Sequence, residues 1–411
     1  MSAPDNPPRQ FFAAGMYGVV SIASVLFLVC AVTYTVTFNV MPDPLRRNLA
    51  GVLGAALLIA AIIVNFRHFS TKSLLMYAGL GLVLVSAVID YTFETIGIEA
   101  AFDYIADTLK LVTALAAIAY FSSVTPKIKP IYFVLSCIAV AAVAALTYAL
   151  QGTIMFGVSI RPAPFTGGLE GVHSSAYALT WAFLGTAILW RQASIPRWLA
   201  LVIIVPLAVL VLYFQVRTTW FMVIAYFATI YVTQLRQDST RWMHGLVIIL
   251  ILLLGVAAYQ IVPDAATALS DFSSGRTTAY GERFGTLAGR TPFELIFGTG
   301  AGSDFVFTEA WWWNTGMDSH NSFIHFTVET GIIGLIGAIF VLVAATISAN
   351  ITQIAVIVSL IAASLVSNGP LERPMLGVLF ATLLVLDQTA PPARQAQLSY
   401  GPKKRRLHGE T

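Results

Sequence analysis

Charge is scarce in this chain. Only 10% of its 411 residues are Asp, Glu, Lys or Arg, where a soluble globular domain carries roughly 25%. Set against 57% hydrophobic residues and a mean hydropathy of +0.79, that shortfall excludes an ordinary soluble domain. Cysteine is nearly absent. Cys30 and Cys137 both fall inside apolar runs, which gives neither a disulfide framework nor a metal pattern. The net charge of +3 is too small to mark a strongly acidic or basic partner. His320 and His325 are five apart rather than four and lack a nearby Glu pair, so zinc spacing is missing. Walker loops, serine elbows and RNA-binding patterns are missing too, which leaves no nucleic-acid partner. Gly298-Thr299-Gly300-Ala301-Gly302 follows Phe293-Glu294-Leu295-Ile296 without entering a βαβ unit, so a Rossmann reading fails. A repeat of 20–50 residues is not evident, and a solenoid is excluded with it.

What the chain has is apolar length. Runs near 20 residues recur, which suits helices and not the alternating pattern of a barrel. Hydropathy and length predict an all-α polytopic membrane protein with about 12 transmembrane helices and a large loop before the tenth. The spans fall near 13–38, 48–66, 73–91, 100–121, 131–150, 173–191, 197–214, 216–235, 243–262, 320–347, 350–367 and 374–388. The organisation is then a polar tail (1–12), nine helices (13–262), a polar loop (263–319), three helices (320–388) and a basic tail (389–411). The first apolar run is too long for a signal-peptide core and reads as a retained helix.

Lys and Arg in short loops set the orientation. Arg67 and Lys72, Lys127 and Lys129, Arg191 and Arg197, Arg236 and Arg241, and the tail Lys403-Lys404-Arg405-Arg406 all follow even-numbered spans. This places both termini in the cytoplasm and odd-numbered loops outside; Arg46-Arg47 is the exception. The two long outer loops are 151–172 and 263–319. The second, roughly 57 residues, exceeds what a connector needs. It is rich in Gly, Thr, Ser and aromatics, with a short helix expected over 281–289.

Charges near the ends of apolar spans gather on one side. Arg217 lies in the turn between the seventh and eighth spans, Arg276 in Ser274-Gly275-Arg276, His173 at the start of the sixth span and His320 at the start of the tenth, with Glu372-Arg373 between the last two. Arg217 is either a snorkelling or capping arginine or half of an anion site, since a guanidinium fork matches two phosphate oxygens and stays charged at any pH. His320, beside Asn321, is either a helix cap or a general base near neutral pH. Glu329 is nine residues on, on the opposite helix face, so the two form no dyad; it reads as a structural partner of a neighbouring helix. The glycine loop reads as a tight turn against the membrane domain or a weak phosphate loop. Trp311-Trp312-Trp313 suits an interfacial belt or a stacking surface for sugars.

These residues resemble the O-antigen ligase and O-antigen polymerase family of bacterial envelope glycosyltransferases. The resemblance rests on Ser274-Gly275-Arg276, Gly298-Thr299-Gly300, His320-Asn321, Glu329-Thr330-Gly331-Ile332-Ile333-Gly334 and Arg217-Thr218. It covers about 205–337; Gln215-Val216 stands where the family usually has Ser before Arg. The resemblance implies an enzyme of the bacterial inner membrane whose active face and large loop are periplasmic. Such an enzyme moves a glycan from a polyprenyl-diphosphate carrier to an acceptor sugar hydroxyl on a lipid or another glycan, without metal or other cofactor. It implies that Arg217 and Arg276 bind the diphosphate and that His320 assists acceptor deprotonation or diphosphate departure. Arg283, His173, Asn321, Gly300 and Trp312 are expected substrate contacts, and other envelope polysaccharide assembly proteins are candidate partners. The rival classes are a lipid-linked glycan flippase or other transporter, and a scaffold subunit. Transporters place ionisable groups near mid-membrane, whereas most spans here have bare centres. Asp103, Asp107 and Lys110 in the fourth are the main exception, spaced as a local salt-bridged stripe.

Overall fold

The structure is a computed structural model that describes residues 7–66, 70–93, 98–126, 128–156, 159–167, 171–235, 276–304, 306–307, 316–317 and 319–389. It is predominantly helical. Helices α1 (Pro7–Thr37), α2 (Asp43–Phe66), α3 (Thr71–Phe93), α4 (Ile98–Ser123) and α5 (Pro130–Gln151) lead to a hairpin of β1 (Thr153–Phe156) and β2 (Ser159–Pro162). Then come α6 (Val172–Arg191), α7 (Arg197–Tyr213) and α8 (Arg217–Leu235). After residues 236–275, the chain continues through α9 (Arg276–Ala288), α10 (Pro292–Phe297), a two-residue pairing of β3 (Val306–Phe307) with β4 (Gly316–Met317), α11 (Ser322–Thr346), α12 (Ile351–Val366), α13 (Pro374–Thr382) and a 3-10 segment (Leu383–Thr389).

Helices stand at the expected spans except the ninth, 243–262, which lies outside the described residues. Among the described residues, five segments are long and apolar enough to cross a membrane: Gly18–Thr37, Asp43–Phe66, Thr71–Ile89, Pro130–Gln151 and Ser322–Thr346. Thr108–Ser123, Arg197–Tyr213, Ile351–Val366 and Pro374–Leu386 are apolar but shorter. The sixteen residues of α12 reach about 24 Å at 1.5 Å per residue, less than a bilayer core of about 30 Å. The last expected span tightens to a 3-10 helix after Thr382. The surface fits a lipid-facing body. On α7, Leu201, Val202, Val205, Val209 and Leu212 are exposed while Ala200, Ile203, Leu207 and Val211 are buried, an apolar helix that turns large side chains outward. This is a membrane-associated, all-α protein.

The core is built from α4 and α6. Residues 111–121 of α4 are buried without a break, and α6 is buried along nearly its whole length. Trp181 at the middle of α6 packs on Phe133, ring centroids 5.1 Å apart, and donates Nε1–H to Thr382 Oγ1 at 3.3 Å. Helices α3 and α11 run antiparallel and meet at Gly79 and Gly337, where a Cβ on either would strike the other's carbonyl oxygen. Small residues at such crossings let apolar helices approach where lipid gives no hydrophobic drive.

Hydrogen bonds tie the loops into two ends. At one end Lys72 Nζ reaches the Ser122 carbonyl (2.6 Å) and Arg191 reaches Thr352 Oγ1 (3.4 Å). At the other, Asn39 reaches the Pro164 carbonyl (2.9 Å), Arg373 reaches Ser174 Oγ (2.5 Å) and Asn321 reaches the Leu365 carbonyl (2.9 Å). This second end holds the starts of α2, α4, α6, α8, α11 and α13, and it carries the candidate chemistry.

Candidate functional site

The entry to α11 is fixed residue by residue. Asn321 is the N-cap, its Oδ1 accepting from the N–H groups of Phe323 (3.0 Å) and Ile324 (3.2 Å). Its Nδ2 donates to the Leu365 carbonyl in the last turn of α12. Just before it, His320 sits at φ 51°, a left-handed conformation that non-glycine residues enter at a cost. The Tyr280 hydroxyl of α9 donates to the His320 carbonyl at 3.0 Å. Ser319, fully buried, donates its N–H to Asp304 Oδ2 at 2.7 Å and its hydroxyl to the Asn321 carbonyl at 3.1 Å. A strained backbone held from several sides is where structure over-determines a side chain's direction.

Beneath this entry lies a buried charge cluster. The Asp304 side chain is 0% exposed, that of Arg283 5%, that of Glu329 4% and that of His325 16%. Arg283 Nε lies 3.1 Å from Asp304 Oδ1, an ionic contact whose N–H is not aimed along the line. The directed bond runs from Arg283 Nη2 to the Asp304 carbonyl at 3.0 Å. His325 spans two carboxylates, Nδ1 to Asp304 Oδ2 at 3.1 Å and Nε2 to Glu329 Oε2 at 3.2 Å. Glu329 Oε1 accepts the Gly302 N–H at 2.7 Å. Buried charges persist only when paired and hydrogen-bonded, and here each charge has an opposite neighbour. The His325 ring nitrogens face different carboxylates, and among the described residues no group of three or more His, Cys, Asp and Glu could hold a metal ion.

The glycine loop closes against a break in α11. Gly331, at φ 62° and ψ −169°, interrupts the helix. The carbonyls that the break releases are taken up. Val328 O accepts from Thr299 N (3.2 Å) and Arg290 Nη1 (2.8 Å), Glu329 O from Gly300 N (3.0 Å), and Thr330 O from Ser86 Oγ of α3 (2.5 Å). Gly298, at φ 89° and ψ −168°, lies so close that a Cβ there would collide with the Glu329 carbonyl, and one on Gly331 would collide with the Ile296 carbonyl. The loop is a clasp between α10 and α11, so Gly300 spends its N–H on Glu329 and stands as a packing residue rather than a free phosphate ligand.

The expected site residues fall as follows. Arg217 is exposed at the first position of α8, just past left-handed Gln215 (φ 52°). Arg276 opens α9, one turn before Tyr280. His320 and Asn321 open α11. His173 is half-buried at the second position of α6, beside the Ser174 that binds Arg373. Arg283 is buried on Asp304, a structural tie in place of the expected substrate contact. Trp312, with Trp311 and Trp313, lies outside the described residues. The helix expected over 281–289 begins earlier, at Arg276. Glu329 pairs within its own helix and with the glycine loop rather than with a neighbouring helix. Sequence reasoning missed Asp304 and His325. The His325–Glu329 spacing of one helical turn was the available signal; for Asp304 there was none, because its partners are far apart in sequence.

A cavity of about 460 Å³ at the same end is lined by Tyr34, Phe38, Asp43, Arg46, Ala50, Lys110 and Pro374. Arg46 there pairs with Asp43 and stacks over Phe38 at 4.3 Å. None of Arg217, Arg283, His320 or His325 lines it. No family model, no curated protein and no solved structure matches the chain.

Proposed function

We propose that the chain is a membrane glycosyltransferase that takes its glycan from a polyprenyl-diphosphate carrier at the periplasmic face of a bacterial inner membrane, with both termini in the cytoplasm and about 12 spans. One observation carries the reading. Arg217, Arg276 and His320, from three separate stretches, head the helices α8, α9 and α11. The α9 and α11 ends meet where Tyr280 donates to the His320 carbonyl, and Asn321 ties α11 to the last turn of α12.

The acceptor hydroxyl oxygen attacks the anomeric carbon, the bond from that carbon to the phosphate oxygen breaks, and the diphosphate leaves with the bonding pair. The acceptor's proton passes to the His320 imidazole. Arg217 and Arg276 hold the diphosphate and stabilise the charge it gains, an electrostatic term that grows at the poorly solvated rim of a bilayer. A positioned imidazole adds about 10²–10⁴-fold. Asn321 fixes the backbone on which His320 turns.

The test is genetic and chemical. Arg217→Ala, Arg276→Ala and His320→Ala are expressed in cells lacking the native protein, and surface glycan and carrier-linked glycan are measured. Normal protein levels with lost surface glycan and carrier-linked glycan accumulating outside are expected. Carrier-linked glycan trapped inside would identify a flippase and end the transferase reading. Arg217→Lys and Arg276→Lys should also lose activity, since an ammonium cannot form the bidentate fork.

A further inference from the structure

We propose that Asp304 is the positioning residue of this site, one carboxylate that sets the backbone of residues 319–320 and with it the direction of the His320 side chain. The inference rests on the transferase reading for its chemistry and on the geometry alone for its mechanics. Asp304 belongs to the glycine-loop segment, yet its side chain is fully buried and holds three separate stretches of chain. It takes the Ser319 N–H at 2.7 Å, meets the Arg283 guanidinium of α9 at 3.1 Å and meets His325 Nδ1 in the first turn of α11 at 3.1 Å.

Each partner has a job that follows from its place. The Ser319 bond acts on the residue next to His320, and His320 is held left-handed at φ 51°. Arg283 and Tyr280 lie on the same helix three residues apart, and Tyr280 donates to the His320 carbonyl. Arg283 therefore docks α9 on Asp304, and α9 in turn grips His320 from the other side. That same helix begins with Arg276, so one carboxylate fixes both the imidazole and the helix that carries a diphosphate-binding guanidinium. His325, bridging Asp304 and Glu329, keeps the carboxylate at the mouth of α11. The glycine clasp holds the far side through Gly302 N–H on Glu329. Asp304 touches no reacting atom in this scheme; it acts through His320.

The experiment uses the full chain in lipid nanodiscs and compares wild type, Asp304→Asn and Asp304→Ala. Amide hydrogen exchange is read at residues 319–325, affinity is read with farnesyl diphosphate as probe, and glycan transfer is read in cells lacking the native protein. In Asp304→Ala the Ser319 amide should exchange at least about tenfold faster. Transfer should fall roughly 100-fold, the scale of an ångström of misplacement. The farnesyl diphosphate Kd should weaken, but by less than transfer falls, because α9 and its Arg276 lose their dock while Arg217 is untouched. Asp304→Asn keeps an oxygen for the Ser319 N–H but no charge for Arg283, so it should fold as wild type by gel filtration and fall between the two. Unchanged exchange at Ser319 in both variants overturns the latch. Faster exchange with wild-type transfer overturns the positioning role. A wild-type chain that transfers no glycan sinks the transferase reading, and the latch is then decided by the Ser319 amide alone.

Discussion

Gly298→Ala is the sharpest test of how the polar loop is joined to the bundle. Gly298 sits at φ 89° and ψ −168°, a region that only glycine occupies without strain, and an alanine there costs about 1–3 kcal/mol. Its Cβ would also meet the Glu329 carbonyl, so the loop must retreat from α11. Retreat breaks the bonds from Thr299 N to Val328 O and from Gly300 N to Glu329 O, each worth about 0.5–1.5 kcal/mol. The sum is roughly 2–6 kcal/mol. Thermal unfolding of purified protein, followed by loss of the monodisperse fraction, should show a midpoint lowered on the order of 5 °C. Gly281→Ala and Gly285→Ala are the controls. Both lie inside α9 with nothing within 4 Å of an added Cβ, so alanine should leave the midpoint unchanged or raise it slightly. If Gly298→Ala melted within about 1 °C of wild type, the clasp would contribute nothing and the argument from glycine geometry would be wrong.

The cap of α10 should respond to acid. Thr291 donates its N–H and its hydroxyl to Glu294, and these bonds, with Arg290 nearby, hold the Glu294 carboxyl below its ordinary value. A carboxyl lowered in the folded state contributes stability that is present above its unfolded value and is lost as pH falls through the folded one. Amide exchange over 291–297 should therefore rise on acidification below pH 4 relative to a Glu294→Gln chain, and equal pH profiles for the two would refute the cap. Asn321→Ala should cost about 1 kcal/mol through the lost N-cap, read as faster exchange of the Phe323 and Ile324 amides; Asn321→Asp should restore those amides but not the tie to Leu365. Equal exchange in all three chains would refute the cap assignment.

What the sequence made legible was whatever depends on neighbours in the chain. Apolar length located the helices, and the short turns at 214–216 and 347–350 both exist because left-handed Gln215 and Ser348 stop the helices before them. The cap at the start of α11 is Asn321, where the sequence offered a cap reading for His320, and the glycine loop's tight packing followed from its composition. The rest depended on contacts between distant segments. Ser86 of α3 reaches Thr330 across 244 residues, and Asp304 reaches Arg283 on α9, His325 on α11 and Ser319 in the turn before α11. His325 looked inert beside His320 because its meaning lies in Asp304. Arg283 read as a substrate contact because burial is a property of the fold.

The break in α11 bears on the choice between the proposed catalytic reading and a transport one. Transporters unwind helices at mid-membrane so that freed carbonyls can coordinate an ion or substrate. Gly331 does unwind α11, and that alone would favour transport. But a freed carbonyl serves a ligand only if the protein leaves it unclaimed. Val328 O, Glu329 O and Thr330 O are claimed by Thr299 and Arg290, by Gly300, and by Ser86. An unsatisfied carbonyl in an apolar medium costs several kcal/mol, and this chain meets that cost with its own loop. The break thus anchors a polar segment to an apolar bundle. What it presents to a ligand is the helix entry one turn above His325, where His320 stands in strained backbone. That arrangement suits a group held still for chemistry better than an ion path that must open and close.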